Sequence, residues 1–330
     1  MGWKGNLRTF SATMNRIDRE SKRKQRELDK RYKLREKMEE LAQAQYDVEV
    51  FENYIEQIQS LHKEGSELID WIELKNEKAP SEPKLEYPQM IQAEFLFNTF
   101  KPNFLHKIFN MTESKKKSLL KNIETSKVID EQTYEQNLIN YRQTYQEWLE
   151  QVNLAERVLN KEEKALLEVI EEMNPFKEIH DLGTSLEIVF KENTLYIELN
   201  VHSQNIIPNK VKSLLKSGKL SVKDMTKSLY NELYQDYVCS AILRVAREIF
   251  AIIPIEEVII TAKDELLNKS IGQEELLPIV SVLISKHKFE SLNLNLIDPS
   301  DSMTNFIHNM DFKKASGFKA VERIIFNKIK

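Results

Sequence analysis

The sequence predicts an α plus α+β fold, with a long antiparallel helical hairpin or coiled coil followed by a C-terminal α+β domain. Apolar residues recur at alternating steps of three and four over residues 41–72 and 138–173, which is the coiled-coil period. Glycine is scarce, at 7 of 330 residues, while 30% of the residues are charged, as in long helices with few loops. After Phe176 the pattern changes to the period-two alternation of β-strands, first in TSLEIVFKENTLYIELNV.

The first helix is predicted from about residue 9 to about residue 77, within a segment 1–78. Its apolar seam is interrupted at His62 and Gly65. The run 16–37 carries 11 basic and 5 acidic residues and is a candidate phosphate contact. The alternative is a solvated helix face with internal salt bridges, which the interspersed acids favour.

The segment 79–111 contains Pro80, Pro83 and Pro88, which predict a helix stop and a turn. A phenylalanine-rich stretch follows. It is interpreted either as a small helical cap that buries its rings or as an exposed aromatic patch that binds a protein partner. The candidate partner-binding residues are Phe95, Phe97, Phe100 and Phe104.

The second helix is predicted within 112–174, from an N-cap at Thr112 to a stop at Asn174-Pro175, with its seam broken only at Glu162. An antiparallel register in which residue n faces about residue 184 − n would place 16–37, net +6, opposite 147–168, net −3. The two apolar seams do not face each other in this register. They therefore predict contact with a second chain, and hence a homo-oligomer.

The C-terminal domain, 175–330, is predicted as two hairpins, a helix, two strands and a final helix. The second hairpin turns near Ser217-Gly218, and the helix before Pro254 is apolar on most of its circumference, as expected of a central buried helix. EVIITA and PIVSVLI are short and continuously apolar, which predicts strands covered on both faces. Charged residues in the buried helix must be paired, so Arg244 or Arg247 is expected to bind Glu248 or Glu232.

Composition excludes several classes of protein. The net charge is −4, so binding of nucleic acid requires a local basic patch. The single cysteine, Cys239, excludes an internal disulfide. No signal-peptide core, 18-residue apolar window, P-loop, GxGxxG or HExxH motif occurs, so we expect a cytoplasmic protein without membrane contact, cofactor or zinc site.

The enzymatic hypothesis is a metal-dependent nuclease, in which carboxylates on adjacent strands hold Mg²⁺ and a lysine lies near the phosphate. Glu187 and Glu198 are the candidate catalytic residues, and His202 and His308 are further candidate ligands. The common Asp…Glu-x-Lys pattern is not met, because Leu199-Asn200 follows Glu198. The alternative is that both glutamates are ordinary surface carboxylates.

A lysine-rich stretch of the same domain is the candidate phosphate or nucleic-acid contact. A hairpin edge guarded by lysine against aggregation is the alternative. The lysines are Lys210, Lys212, Lys216, Lys219, Lys223 and Lys227.

The favoured function is that of a cytoplasmic interaction or scaffold protein in a larger bacterial assembly. The coiled coil would bind a protein partner or a second copy of the chain, and the α+β domain would serve as a binding module. The alternative function is a nucleic-acid-binding or metal-dependent nuclease subunit of a bacterial defence or repair system. Binding is favoured over catalysis because no catalytic motif is complete.

Overall fold

The computed structural model describes residues 3–102, 111–177, 184–191, 194–268 and 271–325. Long helices precede a mixed sheet in the C-terminal part of the chain, which confirms the predicted fold class. The residues form two compact units. Unit 1 combines Met1–Glu67 with Glu172–Lys330, and unit 2 is Leu68–Glu171. The predicted coiled-coil pairing of the two long helices stays a prediction.

Helix α1 runs from Trp3 to Gln59, 57 residues, which corresponds to a length of about 85 Å. It ends well before the predicted residue 77. A short 3-10 turn, Leu61–Lys63, follows, and its His62 is buried. The His62 backbone N–H donates to Ser240 Oγ at 3.1 Å, so a bond outside the helix replaces the helical one. The interruption of the apolar seam at His62 was the sequence signal for this end.

Unit 2 contains α2, Trp71–Lys75, α3, Pro88–Asn98, and α4, Thr112–Leu159. Between α2 and α3 the chain has no regular structure and lies antiparallel to α4. Lys75 forms an ion pair with Glu156 at 3.1 Å, whereas the predicted register would place it near residue 109. Further along, the Tyr87 hydroxyl donates to Glu131 at 3.5 Å.

The predicted turn at the prolines is therefore wrong. The segment from Lys75 to Tyr87 keeps one direction along α4 and does not reverse at the prolines. Pro80 and Pro83 lie in the stretch without regular structure, and Pro88 is the first residue of α3. Proline fixes φ near −65° and lacks a donor N–H, which suits such a segment as well as it suits a turn.

Helix α4 ends at Leu159 rather than continuing to residue 174. Lys161 adopts a left-handed φ of 57°, and α5 then runs from Glu163 to Met173. Arg157 spans this break, with ion pairs to Glu162 at 3.3 Å and to Glu168 at 3.1 Å.

The main sheet of unit 1 has six strands in the order β1-β2-β5-β6-β7-β8. Only β2 and β5 pair in parallel among these neighbours. The central strands are buried along Val258–Asp264 and Ile279–Ile284, which confirms that both of their faces are covered. The bounds are Ser185–Lys191 for β1, Thr194–Asn200 for β2, Glu257–Asn268 for β5, Gln273–Ser285 for β6, Ile307–Lys313 for β7 and Gly317–Lys319 for β8.

The short helix α6, Ser203–Ile206, follows β2 and leads to the second predicted hairpin, β3, Lys210–Leu214, and β4, Leu220–Asp224. This hairpin forms a separate two-stranded sheet that packs on α1. Gly218 occupies its turn with a φ of 81°, a left-handed conformation that glycine adopts readily.

Helix α7, Lys227–Ile252, is buried on most of its surface, as predicted for the central helix. The predicted C-terminal helix is largely wrong. The chain forms two short helices, α8, Lys286–Glu290, and α9, Pro299–Ser302, and then enters strand β7. Asp298 caps α9 by accepting from the N–H groups of Ser300 and Asp301, and the helix stops after one turn.

Candidate functional site

A row of polar residues crosses one face of the main sheet. Glu187 on β1 lies directly opposite Glu198 on β2, and the row continues through Thr261 on β5, Ser281 on β6 and Asn309 on β7. Directly paired residues share a face, so the sheet brings the two predicted carboxylates together. Thr261 Oγ1 and Ser281 Oγ are hydrogen-bonded at 2.9 Å.

Glu198 is ion-paired on both carboxylate oxygens. Lys263 binds Oε2 and Arg323 binds Oε1. Lys263 is 8% exposed and comes from β5. Arg323 belongs to a segment after β8 that lies on this face, where the Ile324 N–H donates to Ser281 Oγ at 3.0 Å.

This arrangement places a lysine beside a carboxylate, as the nuclease hypothesis requires, but the lysine comes from a neighbouring strand. A metal ion would have to displace both cations from Glu198. Within the described ranges, no group of three or more His, Cys, Asp or Glu side chains is arranged to hold a metal. The catalytic assignment of Glu187 and Glu198 stays a prediction.

The two candidate histidine ligands have local structural roles. His202 is the left-handed residue, φ 43°, at the start of α6. His308 Nδ1 lies 3.0 Å from the Phe306 carbonyl oxygen.

The six lysines of the β3–β4 region do not form one face. Lys210 and Lys212 share a face of the hairpin, and Lys223 lies on the other, because Lys210 pairs with Asp224 and Val211 pairs with Lys223. The other three divide between the turn and the next helix: Lys216 and Lys219 lie at the turn, and Lys227 begins α7.

The hairpin turn instead contacts α1 at Glu40 and Leu41, just after the basic run 16–37. Lys219 forms an ion pair with Glu40 at 3.1 Å, and a Cβ built on Gly218 would lie 3.0 Å from Leu41 Cδ2. Exposed lysines precede Leu41 on the same face of α1, at helical spacings of 4, 8 and 11 residues. We call the resulting set the basic surface: Lys30, Lys33, Lys37, Lys216 and Lys219.

The phenylalanine cluster is divided between exposed and partly covered rings. Phe95 is 65% exposed on α3, and Phe97 and Phe100 are half-buried. Phe104 lies outside the described residues. Exposed Ile91 and Leu96 accompany Phe95, and we call these three residues the α3 patch.

The junction of α1 with α7 contains polar groups whose contacts the sequence did not predict in full. Arg244 and Glu248 form the predicted buried pair, with Nε 2.7 Å from Oε1. Arg247 instead donates to backbone carbonyls, including that of His62 at 3.2 Å. Glu232 binds Lys314 at 2.7 Å.

A cavity of about 590 Å³ adjoins this junction. Its lining comes from the last turns of α1, the 3-10 turn, Asp236 of α7, and the segment before α9. His62 lines the cavity and is 1% exposed, with Nδ1 2.8 Å from Ser240 Oγ. Its interruption of the seam marks the helix end, but no motif marks the cavity, because the lining comes from three separate segments of the chain.

A second buried polar cluster surrounds Asp264. A register shift in β5 between Ala262 and Lys263 precedes this residue. Its carboxylate accepts hydrogen bonds from Ser203 Oγ and the Tyr234 hydroxyl. Burial, together with the charge of Asp264, raises the pKa of Tyr234 well above its usual range, so the phenol stays protonated as a donor. This network ties β5 to α6 and α7.

None of the helices in the described part of the chain combines the length and apolarity needed to cross a membrane. Comparison with known proteins finds no matching family model, no significantly similar curated protein and no significantly similar solved structure.

Proposed function

We propose that the protein is an interaction protein that binds nucleic acid through the basic surface. The observation that carries the proposal is the meeting of the β3–β4 turn with α1. Two basic stretches about 180 positions apart in sequence contribute neighbouring lysines to one exposed region. Phosphate backbones are recognised by such clusters without a catalytic group.

Part of the charge around this surface is paired within the protein, and part is exposed to solvent. Within the set, Lys219 has an ion-pair partner in Glu40. Arg35, two positions from Lys33 and from Lys37, forms an ion pair with Glu39 at 3.0 Å. Lys33, Lys37 and Lys216 are exposed, and a phosphate backbone could contact them.

The test is fluorescence anisotropy with short labelled duplex and single-stranded DNA over a salt series. We expect affinity to fall with salt, with a log–log slope for the duplex of about 0.9 for every phosphate that the protein neutralises. The variant Lys33→Ala/Lys37→Ala/Lys216→Ala should weaken binding and flatten that slope.

The control is Lys115→Ala/Lys116→Ala/Lys117→Ala on α4, which removes the same charge elsewhere. If both variants weakened DNA binding equally, net charge alone would explain the loss, and the proposed surface would be rejected. Binding of polyglutamate but not of DNA would identify an acidic protein as the partner instead.

A second candidate function is self-association through the α3 patch, proposed because of the charges on either side of it. Seven acidic and three basic residues lie on one side of the patch, in residues 76–86 and 131–150. Five lysines and two acidic residues lie on the other side, in residues 113–127. A two-fold axis through the patch would place opposite charges together. A second copy of the chain is therefore the proposed occupant.

Sedimentation equilibrium tests this candidate. We expect a concentration-dependent dimer that Phe95→Ser weakens and that high salt weakens further. Leu149→Ser, at a residue 44% exposed elsewhere on α4, is the control and should leave association unchanged. A monomer at all concentrations would reject self-association.

A further inference from the structure

The side of α1 that faces away from the rest of unit 1 carries large apolar residues. The opposite side packs on unit 1, where Ala44, Val48 and Ile58 are buried. Because each residue turns an α-helix by about 100°, a position two residues away lies nearly on the opposite side. Tyr46 lies two residues from both Ala44 and Val48, and it is 61% exposed. The outward side of α1 is therefore not uniformly polar, as the solvated face of a surface helix would be.

Six exposed positions on this outward side follow one another at steps of four, three, four, three and four residues, which is the coiled-coil period. Three of them are large apolar or aromatic residues, and each of these three is more than half exposed. A seam with this period fits a second helix lying along it. We call the six residues the outer stripe: Leu28, Tyr32, Arg35, Glu39, Ala42 and Tyr46.

The charges of α1 indicate which helix fits the outer stripe. Residues 16–37 hold 11 basic and 5 acidic residues, net +6, whereas residues 38–59 hold six acidic and no basic residues, net −6. A second copy of α1 in parallel orientation would place each half against a half of the same charge. In antiparallel orientation each half lies against its opposite, and a two-fold axis satisfies both ends of the contact at once.

The outer stripe is self-complementary in this antiparallel orientation. When residue n faces residue 74 − n of the second copy, the centre of the contact lies at Lys37, where the basic half of α1 ends. A positive residue then faces a negative one, and a large side chain faces a small one, in layers that occur twice. The facing pairs are Arg35 with Glu39, Tyr32 with Ala42, and Leu28 with Tyr46.

The central layers also use an ion pair that each chain already forms. Arg35 Nε and Glu39 Oε1 lie 3.0 Å apart within one helix, and both side chains remain exposed. The two-fold axis brings two such pairs together as a network of four alternating charges. This network favours the stated register over neighbouring ones, because a shift along the helix separates the opposite charges.

We propose that the outer stripe binds a second copy of the chain, with the two α1 helices antiparallel and centred at Lys37. Lys30 lies two residues from both Leu28 and Tyr32, so it is on the opposite side of the helix. The other α1 lysines of the basic surface share its side, and the contact therefore leaves the basic surface of each copy exposed. The outer stripe belongs to unit 1, whereas the α3 patch belongs to unit 2.

Sedimentation equilibrium of the full-length protein tests the contact. The measurements use a Phe95→Ser background, so that the α3 patch does not contribute. We expect a dimer with a Kd of about 10 μM or tighter. Arg35→Glu and Glu39→Arg should each raise that Kd about tenfold or more, because each change places like charges opposite each other twice. A mixture of the two variants should associate again, since each facing pair then has opposite charges.

Lys191→Glu is the matched control, because it reverses a charge at an exposed residue of β1, in unit 1 but outside α1. It should leave the Kd unchanged, and circular dichroism should show the same helix content in all variants. A monomer at all concentrations would overturn the proposal. So would charge reversals on the outer stripe that act no more strongly than Lys191→Glu, or a mixture that fails to associate.

Cross-linking tests the orientation of the two helices. Tyr32→Cys and Ala42→Cys are made in separate proteins, in which the native Cys239 is completely buried. A short bis-maleimide reagent should join the two variants when they are mixed. Each variant alone should give little product, because the two copies of one position lie ten residues apart along the helices, about 15 Å. Cross-linking of each variant with itself but not with the other would show a parallel pair and overturn the proposal.

Discussion

Glu198 forms ion pairs with two cations on the main sheet, Lys263 and Arg323, and Lys263 is the more buried of the two. Glu198→Ala would leave Lys263, 8% exposed, without its ion-pair partner. We expect a loss of about 1–3 kcal/mol in the free energy of unfolding, because a buried charge without a partner costs its desolvation. Urea denaturation followed by circular dichroism measures this loss.

Glu187→Ala is the control for this change, since Glu187 is exposed and directly opposite Glu198. It should alter stability by no more than about 0.5 kcal/mol. If the two variants were equally stable, the ion pairs of Glu198 would be energetically unimportant. The interpretation of Glu198 as an ordinary surface carboxylate implies a small effect, because the sequence gave no indication that Lys263, 65 positions later, would pair with it.

At the scale of elements, Asp130 joins two helices of unit 2. This residue of α4 is 4% exposed, and its carboxylate accepts from the backbone N–H groups of Gln89 at 3.3 Å and Met90 at 2.9 Å. It therefore serves as an N-cap for α3 supplied by another helix. A negative charge at this end also interacts favourably with the helix dipole.

Asp130→Ala should destabilise the protein by about 1–2 kcal/mol, since two first-turn N–H groups lose their acceptor. Asp130→Asn keeps one side-chain oxygen and should lose less. Hydrogen exchange at Gln89 and Met90 reports the cap directly and should accelerate in the alanine variant. Unchanged exchange there would show that the cap contributes nothing to α3.

The sequence predicted the middle of the helices and strands better than their ends. The seams predicted long helices because apolar spacing is a local property of many residues. The ends depended on single contacts with distant residues, such as His62 with Ser240, which no local pattern records. The helix predicted after Asp298 failed because β7 pairs with β6 from Val280 to Leu283, and strand pairing overrode the local helix signal.

The candidate sites were likewise predictable where the signal lies within one stretch of sequence, and not where distant segments meet. The basic stretches were visible as composition, but their meeting at Lys219 and Glu40 required the fold. The cavity was invisible in sequence, since its acids come from separate segments. Arg244 and Glu248 were predictable because they are four positions apart on one helix.

At the scale of the whole molecule, the single cysteine reports unfolding of unit 1. Cys239 is completely buried in α7, and burial raises the pKa of its thiol well above its usual range. We expect the native protein not to react with a thiol reagent, and the reaction in urea to follow the loss of helix measured by circular dichroism. Rapid reaction without denaturant would mean that α7 opens locally.

Unit 1 is interrupted in sequence by unit 2, and this has a consequence for synthesis. The Ser66 N–H, in the segment after α1, donates to Glu248 at 3.2 Å. This contact can form only after α7 has been synthesised, about 180 residues later. At about 5–20 residues per second, that delay is roughly 10–40 s on the ribosome. Throughout this time the sides of Val48 and Ile58 that are buried in the folded protein stay exposed to other nascent chains.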